Sequence, residues 1–337
     1  MMLKAMVCAA GLLAGLSCSV AASAQTYPAK TVKIIVPYQA GQGTDVAARY
    51  FAEQLSKALG QTFYVDNKPG AGGNIGAEAT AHAAPDGYTL MMGTNATQTM
   101  NEFLYPSTGY DAQKDFTPII LVGMLPMVIS ANTSFPANSV AELVAAAKAK
   151  PDKIDMALPS NSARIVFELL KDRTGAPLFG VPYKGSATAM TEVIGGQVQT
   201  IIDTVTATRG HVAAGKLKAL GITTLKSSEL LPGVKSVAEQ GVPGFEMTAW
   251  NAFYAPAGTP KPIVDRLNAE VTKILAQPEA RERLLQLGFE PAGGTPEALA
   301  KLEVQERVKW APLIKAAGLK GDQGQLSWNA DSQTSSS

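Results

Sequence analysis

The fold of this chain is decided by residues 32–45, VKIIVPYQAGQGTD, in which a β-branched run leads into a loop that contains glycine. The β-branched residues predict a buried strand over 32–36, and Pro37 ends it. The apolar residues that follow recur at helical spacing and predict a helix over 45–59, which Gly60 ends. This order of strand, loop and helix predicts the first unit of an α/β fold.

The same alternation continues outward from this stretch. Strand-like runs at 62–65 and 88–92, with a helix-like run at 75–83 between them, complete a βαβαβ order and imply a parallel sheet. After residue 260 the chain becomes strongly helical. Ligands bind outside the carboxyl ends of the strands in open parallel sheets. Candidate sites are therefore the loops at 37–45, 68–74, 93–98, 159–164, 183–186 and 203–206.

The loop at 37–45 suggests an anion site. Gly41 and Gly43 allow the backbone to approach a ligand closely. The following helix, with Thr44 or Asp45 as its expected N-cap, presents unpaired N–H groups and a partial positive charge. A tight turn without any ligand explains the same residues, and the loop alone does not decide between the two.

Composition bounds the possible functions. The chain has 337 residues, of which 29 are Lys or Arg and 28 are Asp or Glu, so its formal net charge is +1. This length predicts about two domains, and the balanced charge disfavours nucleic-acid binding. Lys4, a short apolar stretch and an Ala-Ser-Ala site at 22–24 predict a signal peptide over 1–24, cleaved after Ala24, and hence a periplasmic protein. Both cysteines, Cys8 and Cys18, lie in that segment, so no disulfide is expected.

Motifs for catalysis and for metal binding are missing. No Gly-x-Ser-x-Gly run occurs, and the two histidines, His82 and His211, do not lie in the candidate loops. With so few histidines and no thiol after processing, no metal site and no cofactor are expected. The run at 210–216 is similar to a phosphate-binding loop, but leucine follows its lysine where Ser or Thr is needed.

Five motifs, taken together, resemble those of a known family, the Bug (TctC-like) periplasmic solute-binding proteins of tripartite tricarboxylate transporters. They are IVPYQAGQGTD (35–45), DNKPGAGGNIG (66–76), PDGYTL (85–90), VPYKGS (181–186) and APAGTP (255–260). The similarity extends from about residue 27 to residue 318, in family order and spacing.

The resemblance implies a fold and a function. The fold is that of a two-domain α/β periplasmic binding protein of type II, a "Venus flytrap" with two hinge crossings near 125 and 247. Domain 1 is expected over 25–125 and 248–325, domain 2 over 126–247, and a disordered tail over 326–337. Such proteins hold a small organic carboxylate between the domains and deliver it to the membrane permease subunits of the transporter. We expect a monomer that binds no nucleic acid.

The resemblance also assigns site residues. Domain 1 is expected to bind one carboxylate through its loops, at Tyr38, Ala40, Gly41, Gly43, Thr44, Asp45, Thr94 and Asn95. Domain 2 is expected to supply specificity through Ser160, Asn161, Ser162, Tyr183, Lys184, Asp203 and Thr204. The chain departs from the family at Gln42, which interrupts a run of glycines, and at Gln98 and Arg164, where His is frequent in the 97–98 and 163–164 loops.

Arg164 is the most informative departure. We interpret it as the partner of the distal carboxylate of a dicarboxylate, because guanidinium matches a carboxylate in two hydrogen bonds; a solvated surface arginine is the alternative. Trp250, Phe253 and Phe179 could form an apolar wall that suits an aromatic diacid such as a phthalate isomer, or could pack in the core.

A second class of function stays open at this level. An exported hydrolase or other enzyme that acts on a small carboxylate or ester would use Asp45, Asp203 or Ser162 in the chemistry. The absence of a nucleophile paired with a base favours the binding protein over this enzyme.

Overall fold

The structure is a computed structural model that describes residues 27–151 and 153–321. The expected signal peptide, its cleavage site and the tail at 326–337 lie outside the described residues. The strands are β1 (Val32–Val36), β2 (Phe63–Asn67), β3 (Thr89–Thr94), β4 (Phe116–Asn132), β5 (Asp155–Leu158), β6 (Phe179–Pro182), β7 (Thr200–Thr204), β8 (Leu217–Ile222), β9 (Thr248–Pro256) and β10 (Glu290–Pro291).

Helices alternate with these strands and then follow them. They are α1 (Gly43–Leu59), α2 (Asn74–Ala81), α3 (Asn101–Leu104), α4 (Val140–Ala149), α5 (Asn161–Thr174), α6 (Ser186–Ile194), α7 (Val205–Ala213), α8 (Lys261–Leu275), α9 (Pro278–Gln286) and α10 (Pro296–Ala316), and a π-helical turn at Ala96–Met100 precedes α3. No helix within 27–151 or 153–321 is long and apolar enough to cross a bilayer.

The strands form two sheet halves that share β4. In the first half, β1 pairs in parallel with β2 and β3, and β9 pairs antiparallel with β3 and with β4 as far as Pro126. In the second half, β4 from Met127 onward pairs antiparallel with β7 and β8, and β5 pairs in parallel with β6 and β7. This arrangement confirms the predicted α/β class and the predicted parallel βαβαβ order at the N-terminus.

Local signals in the sequence explain most of these elements. Gly60 ends α1 in the left-handed conformation, with φ of 69°, as the sequence predicts. Ser139 caps α4 by accepting a hydrogen bond from the Glu142 N–H. The predicted N-cap of α1 is wrong. The helix begins at Gly43, and its N-cap residue is Gln42, whose side chain forms no capping bond.

The core lies in separate clusters on the two halves. In the first half, α1 and α8 pack on the sheet around Phe51, Leu55 and Phe253. The cluster of the second half contains α4 and α5, and it also takes in Leu104 together with Trp310 of α10. The end of α10 and the segment around α3 therefore pack against the second half. In the chain, however, α10 follows β9 and α3 follows β3, which are strands of the first half.

Candidate functional site

The candidate site is a cavity of about 410 Å³ between the two sheet halves. Loops at the ends of β1, β3, β5, β6 and β7 line it, as expected for an α/β fold. The structure brings together at this cavity most of the residues that the sequence indicated: Tyr38, Gly43, Thr44, Thr94, Asn95, Ser160, Asn161, Ser162, Arg164, Tyr183, Lys184, Thr204 and Trp250.

Four of the indicated residues, Ala40, Gly41, Asp45 and Asp203, do not line the cavity. Asp45 is buried, and its carboxylate instead accepts hydrogen bonds from the Gly41 N–H at 2.8 Å, from Arg49 Nε at 2.9 Å and from Asn67 Nδ2 at 2.9 Å. Burial opposes the charge, but these bonds outweigh it and hold the pKa of Asp45 below its usual value. Asp45 thus fixes the shape of the loop that carries Tyr38 and Gly43.

Asp203 lies at the end of β7 and is also buried. Its Oδ1 accepts a hydrogen bond from the Thr204 N–H at 2.7 Å, while its Oδ2 has no hydrogen-bond partner within the described part of the chain. Burial raises the pKa of Asp203 to about 6, against the opposing effect of hydrogen bonds from Ser186 and Thr204. With a pKa of about 6 this carboxyl is mostly ionised at neutral pH, and a negative charge is poorly suited to binding a carboxylate.

The N-termini of α1, α5 and α7 lie at the cavity, and they differ in how they are capped. Ser160 caps α5 and Thr204 caps α7, each by accepting a bond from an N–H in the first turn. No side chain caps α1, which begins at the cavity with Gly43 and Thr44. The uncapped N–H groups and the partial positive charge of this helix are suited to an anion.

Charged side chains at the cavity are all positive. Among the described residues, Arg164 and Lys184 line it, and no Asp or Glu does. The guanidinium of Arg164 has no hydrogen-bond or ion-pair partner in 27–151 and 153–321. Arg164 also lies in the first turns of α5, where the helix dipole disfavours a cation by about 0.3–1 kcal/mol. A bound anion between Arg164 and the helix would remove that penalty.

Aromatic residues contribute to the cavity differently from the expectation. Trp250 lines it, together with Tyr38 and Tyr105. The other two residues of the expected apolar wall do not: Phe253 packs edge-on against Phe51 in the core at 5.8 Å, and Phe179 is 55% exposed on an outer groove.

The two tyrosines of the expected site differ in the direction of their hydroxyls. Tyr38 shares a hydrogen bond with Thr94 Oγ1 at 2.9 Å, and burial raises its pKa to about 12, so it stays protonated. The hydroxyl of Tyr183 instead donates to Glu192 of α6. The hydroxyl proton of Tyr183 is therefore not available to a carboxylate ligand.

Several lining residues had no counterpart in the sequence analysis. Leu125 and Asn251 lie on β4 and β9, and Tyr105 follows α3, so none of the three lies in a loop after a parallel strand. The glycine loop at 70–73 also lines the cavity. This loop was indicated by the sequence, since 68–74 is among the candidate loops at strand ends.

Comparison with known proteins gives a consistent result. The model of the family described as "Tripartite tricarboxylate transporter family receptor" matches residues 47–319. Protein BugT of Bordetella pertussis (strain Tohama I) is 36% identical over 301 residues, which cover 88% of this chain and 92% of BugT.

Solved structures with bound carboxylates are also similar. The R. palustris protein Rpa4515 with adipate superposes with a TM-score of 0.84 at 35% identity, covering 87% of this chain and 99% of that one. MatC (Rpa3494) from Rhodopseudomonas palustris with bound malate gives a TM-score of 0.78 at 33% identity, covering 86% and 100%. The likeness extends over both sheet halves and confirms the predicted periplasmic binding protein fold.

Proposed function

The chain belongs to the tripartite tricarboxylate transporter receptor family, and we propose that it captures an organic dicarboxylate between its two sheet halves for delivery to a membrane permease. It is thus a solute-binding receptor of the periplasmic type and not an enzyme. The chemistry also disfavours the alternative of an exported enzyme, since Asp45 is bonded within its own surroundings and Asp203 does not reach the cavity. Ser162 does line the cavity, but no His, Asp or Glu among the described lining residues could serve as its base.

One observation carries the proposal. The cavity is lined by two cations and by no carboxylate among the described residues, and it lies at the uncapped end of α1. Two positive regions on opposite halves, the start of α1 on the first and Arg164 on the second, suit two negative groups on one solute. The adipate and malate in the similar structures are dicarboxylates, which supports this choice of class.

We assign the two halves as the two domains, with the crossings inside β4 and just before β9. The change in the partners of β4 between Pro126 and Met127 and the start of β9 at Thr248 support this assignment. In this assignment the first half supplies the uncapped helix and the second supplies Arg164 and Lys184. Hinge motion about these two strands would open the cavity to solute.

Thermal unfolding with a panel of acids tests the proposal. Adipate, malate and terephthalate are compared with hexanoate, a monocarboxylate that matches adipate in chain length. A binding dicarboxylate at 100 times its Kd stabilises the protein by about 2.7 kcal/mol and raises the Tm with concentration. If hexanoate raises the Tm as much as the best dicarboxylate, or if no dicarboxylate does, the proposal is wrong. The best of the three diacids also reports whether the solute is aliphatic or aromatic.

Arg164→Ala tests the role of the second half. Calorimetry with the best dicarboxylate of the panel should show an affinity loss of about 10- to 100-fold, the usual cost of a lost charge-assisted pair. The matched control is Arg173→Ala, which removes an exposed arginine from the last turn of the same helix. Undiminished affinity in Arg164→Ala would remove Arg164 from the site.

A further inference from the structure

Asn161 makes a contact that a solute-binding role does not explain. Its side chain, at the first position of α5, leaves the second sheet half and reaches two residues that precede β4. Nδ2 of Asn161 lies 3.2 Å from Oδ1 of Asn101 and 3.3 Å from the hydroxyl of Tyr105. Asn161 is 8% exposed and Asn101 is fully buried, so the contact is shielded from water.

The residues that receive this contact are held rigidly. Asn101 donates from Nδ2 to the carbonyl of Gly72 at 3.0 Å and to Oδ1 of Asn74 at 2.7 Å, and the hydroxyl of Tyr110 donates to the same Asn74 oxygen at 3.1 Å. With both protons of its amide used in the first half, the Asn101 side chain has its oxygen fixed toward Asn161. The acceptor is therefore preorganised for a donor from the other half.

We propose that Asn161 is a positioning residue that holds the N-terminus of α5 against the first half before any solute binds. Ser162 and Arg164 follow Asn161 on the same helix and line the cavity. The bridge from Asn161 to Asn101 therefore fixes the positions of these two residues relative to the first half. The proposal rests on the proposed function, because it assumes that the two halves move relative to each other. Loss of the bridge lowers the populated fraction of the closed arrangement, and the apparent Kd rises by the same factor.

Gly72 gives an independent way to break the bridge. A Cβ atom at this position would lie 2.4 Å from Nδ2 of Asn161 and 2.4 Å from the Tyr105 hydroxyl, so Gly72→Ala must displace both side-chain ends. Gly72 also has φ of 63°, which strains alanine. Gly60→Ala is the matched control, since Gly60 has φ of 69° but open space where its Cβ would be.

The experiment measures the distance between the halves in the absence of solute. Spin labels are attached through Lys57→Cys on α1 and Lys148→Cys on α4, two exposed positions, with Cys8 and Cys18 replaced by serine. Pulsed electron resonance then gives the distance distribution for the parent protein and for Asn161→Ala, Gly72→Ala and Gly60→Ala. Calorimetry with adipate, malate and terephthalate follows on the same proteins, and circular dichroism confirms that each is folded.

The expected result is a shift toward longer distances in Asn161→Ala and Gly72→Ala but not in Gly60→Ala, with an affinity loss of about 3- to 10-fold. Unchanged distances in both variants would overturn the proposal, and would mean that the apolar packing of Leu104 in the core cluster of the second half closes the cavity alone. The distances need no solute, so a shift with no acid bound by the parent protein would refute the dicarboxylate function and leave the bridge standing.

Discussion

The buried carboxyl of Asp203 makes the protein sensitive to pH in a way that one substitution should abolish. Asp203→Asn keeps an oxygen that can accept the Thr204 N–H bond at 2.7 Å, and it removes the need to bury a charge. The Ser186 hydroxyl, which favours the charged form of Asp203, can rotate to accept a bond from the new amide. We therefore expect Asn to stabilise the protein at neutral pH.

The magnitude follows from the pKa of Asp203. Burial raises it from 3.8 to about 6, so the folded protein binds this proton more tightly than the unfolded chain does. The free energy of unfolding consequently falls as pH rises from about 4 to about 6, and the full destabilisation by the ionised Asp203 is present at pH 7. A shift of about two pKa units corresponds to about 3 kcal/mol at pH 7. At pH 4 the same two pKa values give a destabilisation of only about 0.5 kcal/mol.

Urea denaturation at pH 7 and at pH 4 measures the free energy of unfolding for both proteins. The gain in Asp203→Asn should approach 3 kcal/mol at pH 7 and nearly vanish at pH 4. Asp172→Asn, an exposed carboxylate next to Arg173, is the control and should change little at either pH. A loss of stability in Asp203→Asn at pH 7 would refute the reasoning, since it would show that the buried charge is favourable.

Three further substitutions address the loop, the cavity and the last helix. Asp45→Ala removes the three hydrogen bonds that this carboxylate accepts from Gly41, Arg49 and Asn67, and should lower the free energy of unfolding by about 2–3 kcal/mol in urea at pH 7. Since the pKa of Asp45 is lowered, the stability that its charge supplies decreases as the pH falls, and an Asp45→Ala effect no smaller at pH 2 than at pH 7 would contradict this account. Gly43→Ala puts a Cβ 2.9 Å from Cδ2 of Leu125 and should weaken binding of the best dicarboxylate at least tenfold by calorimetry; unchanged affinity would separate α1 from the site. Trp310→Ala empties a buried site and should cost about 3–5 kcal/mol in the same denaturation assay, whereas a loss under 1 kcal/mol would show that α10 is not part of the second core.

The fold was predictable where its signals are local. The strand at 32–36 and the helix that Gly60 ends need only neighbouring residues for their patterns, and both were placed closely. The strand β9 was not predicted, because its buried residues show no alternation: it pairs with β3 on one side and β4 on the other. The placement of α10 against the second half depends on a contact between distant segments, for which the sequence has no signal.

The candidate site was predictable to the level of loops but not of side-chain direction. Thr94, Ser160 and Thr204 lie in loops at strand ends, so the sequence alone was enough to place them at the site. Asp45 belongs to the same loops, yet its carboxylate turns away from the cavity, because the Gly41 N–H and the side chains of Arg49 and Asn67 satisfy it. Tyr105 reaches the cavity through tertiary packing alone, so no local pattern could indicate it.

The charge distribution explains why recognition in this receptor has to be local. A net charge of +1 on 337 residues provides little long-range attraction for an anion, and charges beyond about 8–10 Å are screened at physiological salt. The attraction must come from groups at the cavity: the uncapped start of α1, Arg164 and Lys184. Of these three groups, only the start of α1 belongs to the first half, and its backbone N–H groups can bind an anion whatever the side chains are. Solute choice can therefore change through one or two side chains of the second half, and Arg164, whose guanidinium has no partner among the described residues, is the first residue at which to look for it.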